Sequence, residues 1–267
     1  MKTRAYLVFA LFAALQFCSQ ADAQIVWLST KNSDFTDYDA QERIVKPFDA
    51  VSNTCPFDVL YEQSDEQYVI VEGDAEYFKN LHTDVRRGVL EISIDPARYR
   101  NVRLRVKVGS PEIKAITMAG SGSVRCSSDI IADGEFDLRL SGSGDIAINS
   151  LKCAELLSTV AGSGDLRIAN LETVSASISL AGSGDWGAGN IVADNLTIAL
   201  AGSGDIEIAD VDINGTLAAS VAGSGDIEIN GKAKNVTAKV AGSGDISGRL
   251  SYENITKVKG GSGDIDW

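Results

Sequence analysis

From residue 119 onward, apolar residues alternate with polar ones in short runs, and the runs return at nearly constant intervals. Leu196, Ile198 and Leu200 lead into one interruption, and Ile206 and Ile208 leave it. A period of two places successive side chains on opposite faces and predicts strands rather than helices. The strands are about five residues long and are joined through Gly, Asn and Asp, which leaves no room for the crossover helix of a βαβ unit. The interruption itself is a repeat: Ala119-Gly-Ser-Gly-Ser, Ser141-Gly-Ser-Gly-Asp, then Gly-Ser-Gly-Asp again after Ala161, Ala181, Ala201, Ala222, Ala241 and Gly260. The spacings are 22, 20, 20, 20, 21, 19 and 19 residues. Self-similarity at such a period is the mark of a solenoid.

Two further corners per period are read from polar residues that recur in phase. Asn149, Asn170, Asn190, Asp210 and Asn230 follow one strand; Asn195, Asn235 and Asn254 precede another, with Asn214-Gly215 taking that part in a longer rung. Asn and Asp tolerate left-handed backbone and bond the local main chain, which suits tight bends. Three corners and three strands per period predict an all-β chain: a single-stranded parallel β-helix, three-sided, with about 20 residues per rung. Stacking at the strand spacing of about 4.8 Å then lines like residues into columns. Leu200, Gly202, Gly204, Ile206 and Ile208 should face inward, and Ser203, Asp205 and Glu207 outward. The twin glycines fit a backbone that turns close to the axis or adopts positive φ. Cys126 occupies the offset of Ile148 and Ile168 and reads as a small core residue, and Trp186 reads as core as well.

Residues 41–118 lack the repeat mark but keep the alternation, in Phe57–Tyr61, Tyr68–Val71, Val89–Ile94 and Val102–Val108. Ala75–Leu81 is expected to make one or two helical turns. This part is predicted to hold the first rungs and a cap, because a coil must cover its first edge. Ahead of it, residues 24–40 read as a linker and residues 1–23 as a signal peptide: Lys2 and Arg4, an apolar run to Phe17, and a small-x-small site at Ala21-Asp22-Ala23. That run is too short to span a bilayer. Cys18 follows Phe17 where a lipobox needs a small residue, so lipidation is the less favoured route.

The formal charge of the chain is −13, and removing residues 1–23 leaves 22 basic against 36 acidic groups. Nucleic acid is excluded as a partner, since phosphate needs clustered cations and the one basic run, Arg98 to Lys107, alternates like a solvated strand face. The mature chain keeps Cys55, Cys126 and Cys153, an odd count that rules out a disulfide framework. No second apolar stretch is long enough for a membrane span, so the mature chain is expected to be soluble and exported to the periplasm, the outer-membrane surface or the medium.

The chain resembles the secreted bacterial family described as putative auto-transporter adhesin, head GIN domain, common in Bacteroidetes. The resemblance rests on Phe48-Asp49-Ala50-Val51, Phe57-Asp58-Val59, Val69 to Gly73, Gly88 to Ile92 and the iterated Gly-Ser-Gly-Asp-Ile, and it covers about residues 40–267. It implies the β-helix and an adhesin-like role, and it brings no catalytic residues. With no translocator barrel after the last repeat, self-transport is not expected.

Candidate chemistry is sparse. His82, the single histidine, is read as lying in the candidate helix rather than in the repeat and has no nucleophile-elbow motif beside it, and the cysteines lack paired zinc spacing. The abundant class is the carboxylate column Asp145, Asp165, Asp185, Asp205, Asp226, Asp245 and Asp264. Like charges about 5 Å apart repel by roughly 1 kcal/mol in water, so each Asp is expected to accept hydrogen bonds at its own corner. A calcium ladder is the less favoured alternative, because calcium-binding β-rolls use a nine-residue repeat. No cofactor and no catalytic residue is therefore expected. The favoured function is a non-catalytic envelope protein binding a glycan or a cell-surface protein. A structural or assembly role and a polysaccharide-active β-helix enzyme are the alternatives; the uniform rungs speak against the enzyme. Lys257 and Lys259 replace inward apolar residues on the last rung and disfavour end-to-end growth. The Asn-x-Thr matches at Asn195, Asn214, Asn235 and Asn254 are read as corner residues rather than glycosylation sites.

Overall fold

The computed structural model describes residues 38–267; residues 1–23, read as a signal peptide, and most of the segment read as a linker lie outside the described residues. The strands are β1 (Asp39–Glu42), β2 (Ala50–Asn53), β3 (Asp58–Gln63), β4 (Tyr68–Gly73), β5 (Leu81–Arg86) and β6 (Val89–Ile94). They continue with β7 (Leu104–Ser110), β8 (Ala115–Met118), β9 (Ser123–Ile131), β10 (Glu135–Leu140), β11 (Asp145–Val160) and β12 (Leu166–Leu180). The series closes with β13 (Trp186–Leu200), β14 (Ile206–Val221), β15 (Ile227–Val240), β16 (Ile246–Ser247), β17 (Leu250–Lys259) and β18 (Ile265–Asp266).

The repeat folds as a parallel β-solenoid in register. Ile146 pairs with Leu166, Leu166 with Trp186, Trp186 with Ile206, Ile206 with Ile227 and Ile227 with Ile246. Each rung was expected as three short strands; instead β11 to β15 are continuous strands of 14 to 16 residues. The reason is that the hydrogen-bond ladder runs round the Asn corners, skipping a residue such as Asn149 or Ala154 at each bend. Only Gly-Ser-Gly-Asp breaks it. The extra residue of the 21-residue rung is absorbed as a bulge, so that Asn195 pairs with Thr216 and not with Asn214.

The twin glycines are required by rung-to-rung contact, not by conformation. None has positive φ, yet a Cβ on Gly164 or Gly204 would lie 1.9 Å from the carbonyl oxygen of Gly144 or Gly184 in the rung before. The interior is aliphatic, with Leu196, Ile198, Ile208 and Ile229 fully buried. Cys126 and Trp186 are core residues as read from the sequence. The indole of Trp186 is fully buried, and its Nε1 donates to Ser158 Oγ at 2.9 Å.

The first rungs are not stacked in chain order. The β2–β3 rung lies between the β6–β7 rung and the β8–β9 rung, parallel to both. Antiparallel strands finish this end: β4 against β7, β1 against β4, and β5 against β6. The segment read as a linker therefore ends inside a strand, since Asp39 and Ala40 begin β1. The expected helical turns shrink to one 3-10 turn, Ala75–Tyr77, because Leu81 already opens β5 and is buried in the core.

At the other end β17 and β18 pair on one side only. Lys257 and Lys259 stand in register with the buried Ala238 and Val240. Lys257 Nζ donates to the Ile265 and Trp267 carbonyls at 3.2 and 2.9 Å, and Lys259 pairs with Asp264. These charged groups occupy the last turn, where an apolar side chain would lie open to water.

Candidate functional site

The seven aspartates form the column predicted for them, but the bonding differs from the expectation. In the first six, each Oδ1 accepts the backbone N–H of the Asp one rung further on, not a group at its own corner; Asp264 accepts from Lys259 Nζ instead. Asp165 donates to Asp145 at 3.0 Å, Asp185 to Asp165 at 3.1 Å, Asp205 to Asp185 at 2.9 Å and Asp226 to Asp205 at 2.8 Å. Asp245 and Asp264 continue the series at 2.7 and 2.6 Å. The main chain is held close enough to its copy that the reach across rungs is shorter than the curl back to the same corner. Ser123 takes the Asp position in its rung and donates to Asp58 Oδ1 at 2.8 Å, which carries the column into the N-terminal rungs. Among the described residues no three Asp, Glu, His or Cys side chains gather into a metal-holding group. One carboxylate per corner, with an oxygen committed to an amide, is a poor donor set for Ca²⁺, which takes six to eight oxygens.

The remaining candidates are dispersed. His82 lies on β5 rather than in a helix, with Nε2 2.8 Å from Asp95 Oδ1, and Asn80 donates to Asp95 Oδ2. Both side chains are about half exposed. The His82 and Asn80 bonds hold the Asp95 carboxyl below its ordinary value. The pair latches the β5–β6 hairpin and has no nucleophile with it. Cys55, Cys126 and Cys153 are free and buried. Burial pushes the Cys55 thiol up to about 11 and raises those of Cys126 and Cys153 as well, the opposite of an activated thiolate.

What the fold does build is three long outer faces with repeating side chains. The first, after the Gly-Ser-Gly-Asp corner, is acidic toward the C-terminus, where Glu207 and Glu228 pair beside the Asp column. The third is uncharged over three consecutive rungs: Ser175, Ser177 and Ser179 on β12, Asn195, Thr197 and Ala199 on β13, Thr216, Ala218 and Ser220 on β14. The second carries a groove of about 270 Å³ across four rungs, β9 and β11 to β13. One rail is Asp129, Ser150, Asn170 and Asn190; the other is Ile131, Lys152, Glu172 and Val192, in register. Sequence reading assigned the Asn residues to corners and missed the groove. Its signal was present: Ile131 and Val192 are apolar at outward offsets and are exposed.

A second, wider pocket of about 650 Å³ lies near the start of the solenoid, lined by Val45, Pro47, Phe48 and Pro111, with Asp49, Gln67 and Glu112 among its polar members. The Gln67 side chain holds this wall, accepting from Phe48 N at 3.0 Å and donating to the Lys46 carbonyl at 3.1 Å.

The described residues form a parallel β-solenoid with repeating corners and long repetitive outer faces. The chain is a member of the family described as putative auto-transporter adhesin, head GIN domain, whose model matches residues 47–215. Among solved structures it is similar to a putative lipid binding protein from Parabacteroides distasonis, with 27% identity, a TM-score of 0.75, and coverage of 86% of this chain and 96% of that one. A putative adhesin from the same organism is 20% identical with a TM-score of 0.77 over the same shares, and one from Bacteroides fragilis is 23% identical with a TM-score of 0.67 over the same shares. These last two likenesses concern the fold. No curated protein matches the chain. The family fits an adhesin-like role, and among the described residues no helix is long and apolar enough to cross a membrane.

Proposed function

We propose that this chain is an exported, non-catalytic envelope protein that binds a glycan or a cell-surface protein through an outer face of its solenoid. The observation that carries the reading is the in-register repetition of outward side chains over consecutive rungs. Such a surface offers the same contact several times at a fixed period, so weak single contacts sum along the axis. A catalytic site needs the reverse, different groups converging on one point. The reading requires no cofactor, and the Asp column serves the backbone. Incubating the purified mature protein with glycan and matrix-protein arrays tests it, with protease shaving of intact cells for the compartment. Retention on an array and cleavage at the surface are expected. Turnover of any polysaccharide, or a rise in melting temperature with millimolar calcium, would overturn the corresponding part.

A second reading is supported by the pocket at Val45, Pro47, Phe48 and Pro111 and by the name of the relative from Parabacteroides distasonis. In it the protein takes a lipid chain at its N-terminal shoulder. Native mass spectrometry after incubation with fatty acids distinguishes the two readings.

A further inference from the structure

We infer that the groove on the second face binds one uncharged, extended β-1,4-linked polysaccharide chain, laid along the solenoid axis with one sugar to each rung. The inference rests on the adhesin-like reading above and names its ligand and its site.

Three observations carry it. The first is period. Equivalent residues of neighbouring rungs lie about 4.8 Å apart, close to the advance of one pyranose unit in a flat, extended β-1,4 chain. Each successive sugar thus meets the next rung, alternate sugars presenting the same edge, and the spacing is matched over the four rungs of the groove. An α-1,4 chain coils and loses this register after a unit or two.

The second is chemistry. Ser150, Asn170 and Asn190 give one rail of hydroxyl and amide groups, each able to donate and accept, as sugar hydroxyls require. The opposite rail exposes Ile131 and Val192, apolar surface suited to the C–H faces of pyranose rings. Oligosaccharide sites combine these two kinds of contact in a concave lining.

The third is charge. In a chain of net −13, the groove holds one cation, and Lys152 is paired with Glu172 across adjacent rungs. With Asp129 the lining carries one net negative charge, so an anionic polysaccharide finds no attraction there. The groove stops at β13; the next rung sets Asp210 beside Asn190 and Asp212 beside Val192, and Asp212 pairs with Lys232 at 3.0 Å.

The test is calorimetric titration of the mature protein with cello-oligosaccharides and chito-oligosaccharides from disaccharide to hexasaccharide. Affinity should rise with each added unit up to the tetrasaccharide and then level off, since the groove spans four rungs. Val192→Glu and Asn190→Ala should each weaken tetrasaccharide binding at least tenfold at unchanged melting temperature. Thr197→Glu, on the third face, should leave it unchanged. Binding independent of chain length, or insensitive to both groove variants, would overturn the inference. If neither oligosaccharide series binds while the protein is still retained on an array or a cell surface, the groove inference fails and the adhesin-like reading stands. Loss of all retention refutes both.

Discussion

The regular rungs and the N-terminal rungs solve the same problem, turning a strand round a corner, by different means. In the repeat each corner is held by its copies: the backbone N–H groups of Ser163, Ser183 and Ser203 donate to the Gly142, Gly162 and Gly182 carbonyls at 3.0 Å, and the corner Asp bonds to the Asp of the rung beside it. In the β2–β3 rung the corner Thr54 to Phe57 is held by a buried side chain. Asn53 Nδ2 donates to the Phe57 carbonyl at 3.1 Å, and Asn53 Oδ1 accepts from Cys55 N at 3.0 Å. Similar single bonds follow through this end. Tyr61 Oη lies 3.0 Å from Ser110 Oγ, and the Gln63 side chain pairs with both the N–H and the C=O of Ile131, completing the free edge of β9. A rung flanked by copies of itself inherits its geometry from them; a rung whose neighbours differ from it, like β2–β3 between β6–β7 and β8–β9, must specify its own.

This contrast is open to direct challenge. The largest effect is expected from Gly184→Ala, whose added Cβ would lie 2.0 Å from the Gly164 carbonyl oxygen. Backbone cannot yield there without parting two rungs, so a loss above about 4 kcal/mol or failure to fold is expected. Gly134→Ala meets nothing within 4 Å and should stay within about 1 kcal/mol of the parent. Urea unfolding of the two variants makes the comparison, and equal costs would refute the rung-contact account.

Next comes Trp186→Ala, which empties a fully buried site and leaves Ser158 without its donor. About 3–5 kcal/mol should be lost, read from the same unfolding curves.

At the N-terminal end, Glu72 accepts from Arg105 Nε at 2.9 Å and lies 2.8 Å from Lys107 Nζ, with its side chain 15% exposed. Burial alone would raise its carboxyl, but Lys107 and Arg105 together outweigh burial and hold it below the usual value. A carboxyl lowered on folding stabilises above its unfolded value, near 4.5, and that contribution is lost as pH falls through the lower folded value. Glu72→Gln should cost about 2 kcal/mol at neutral pH, and the difference from the parent should shrink progressively as pH falls below 4.5. A constant difference at all pH values would show that Glu72 acts through packing.

Smaller still is the Asp column. Asp205→Ala removes the acceptor of the Asp226 N–H and should cost about 1 kcal/mol. Asp205→Asn keeps an oxygen there and relieves repulsion, so it should match the parent or exceed it at low salt. The smallest response is chemical: Cys55, Cys126 and Cys153 should resist thiol reagents until denaturant is added, and rapid labelling of the native protein would contradict their burial.

How much of this was written in the chain depends on whether neighbours repeat. Gly-Ser-Gly-Asp at constant spacing announced rungs, columns, and the inward places of Cys126 and Trp186, because a side chain's direction follows from period two alone. The same logic located the Asp column but not its bonds. Whether an Oδ1 reaches its own corner or the next rung depends on a separation that only the stacked chain establishes. His82 and Leu81 were misplaced on a helix because β5 is fixed by pairing with β6, against local preference.

The sequence by itself determined the solenoid, its period, its lining and the chemistry of each outer column, since those follow from alternation and repetition. Tertiary structure alone decided the insertion of the β2–β3 rung between β6–β7 and β8–β9, the use of glycine as a spacer between rungs, and the groove formed by Asn170, Asn190, Ile131 and Val192. Each of these is a relation between residues of different rungs, and its energy exists only when those rungs are brought to a strand's separation.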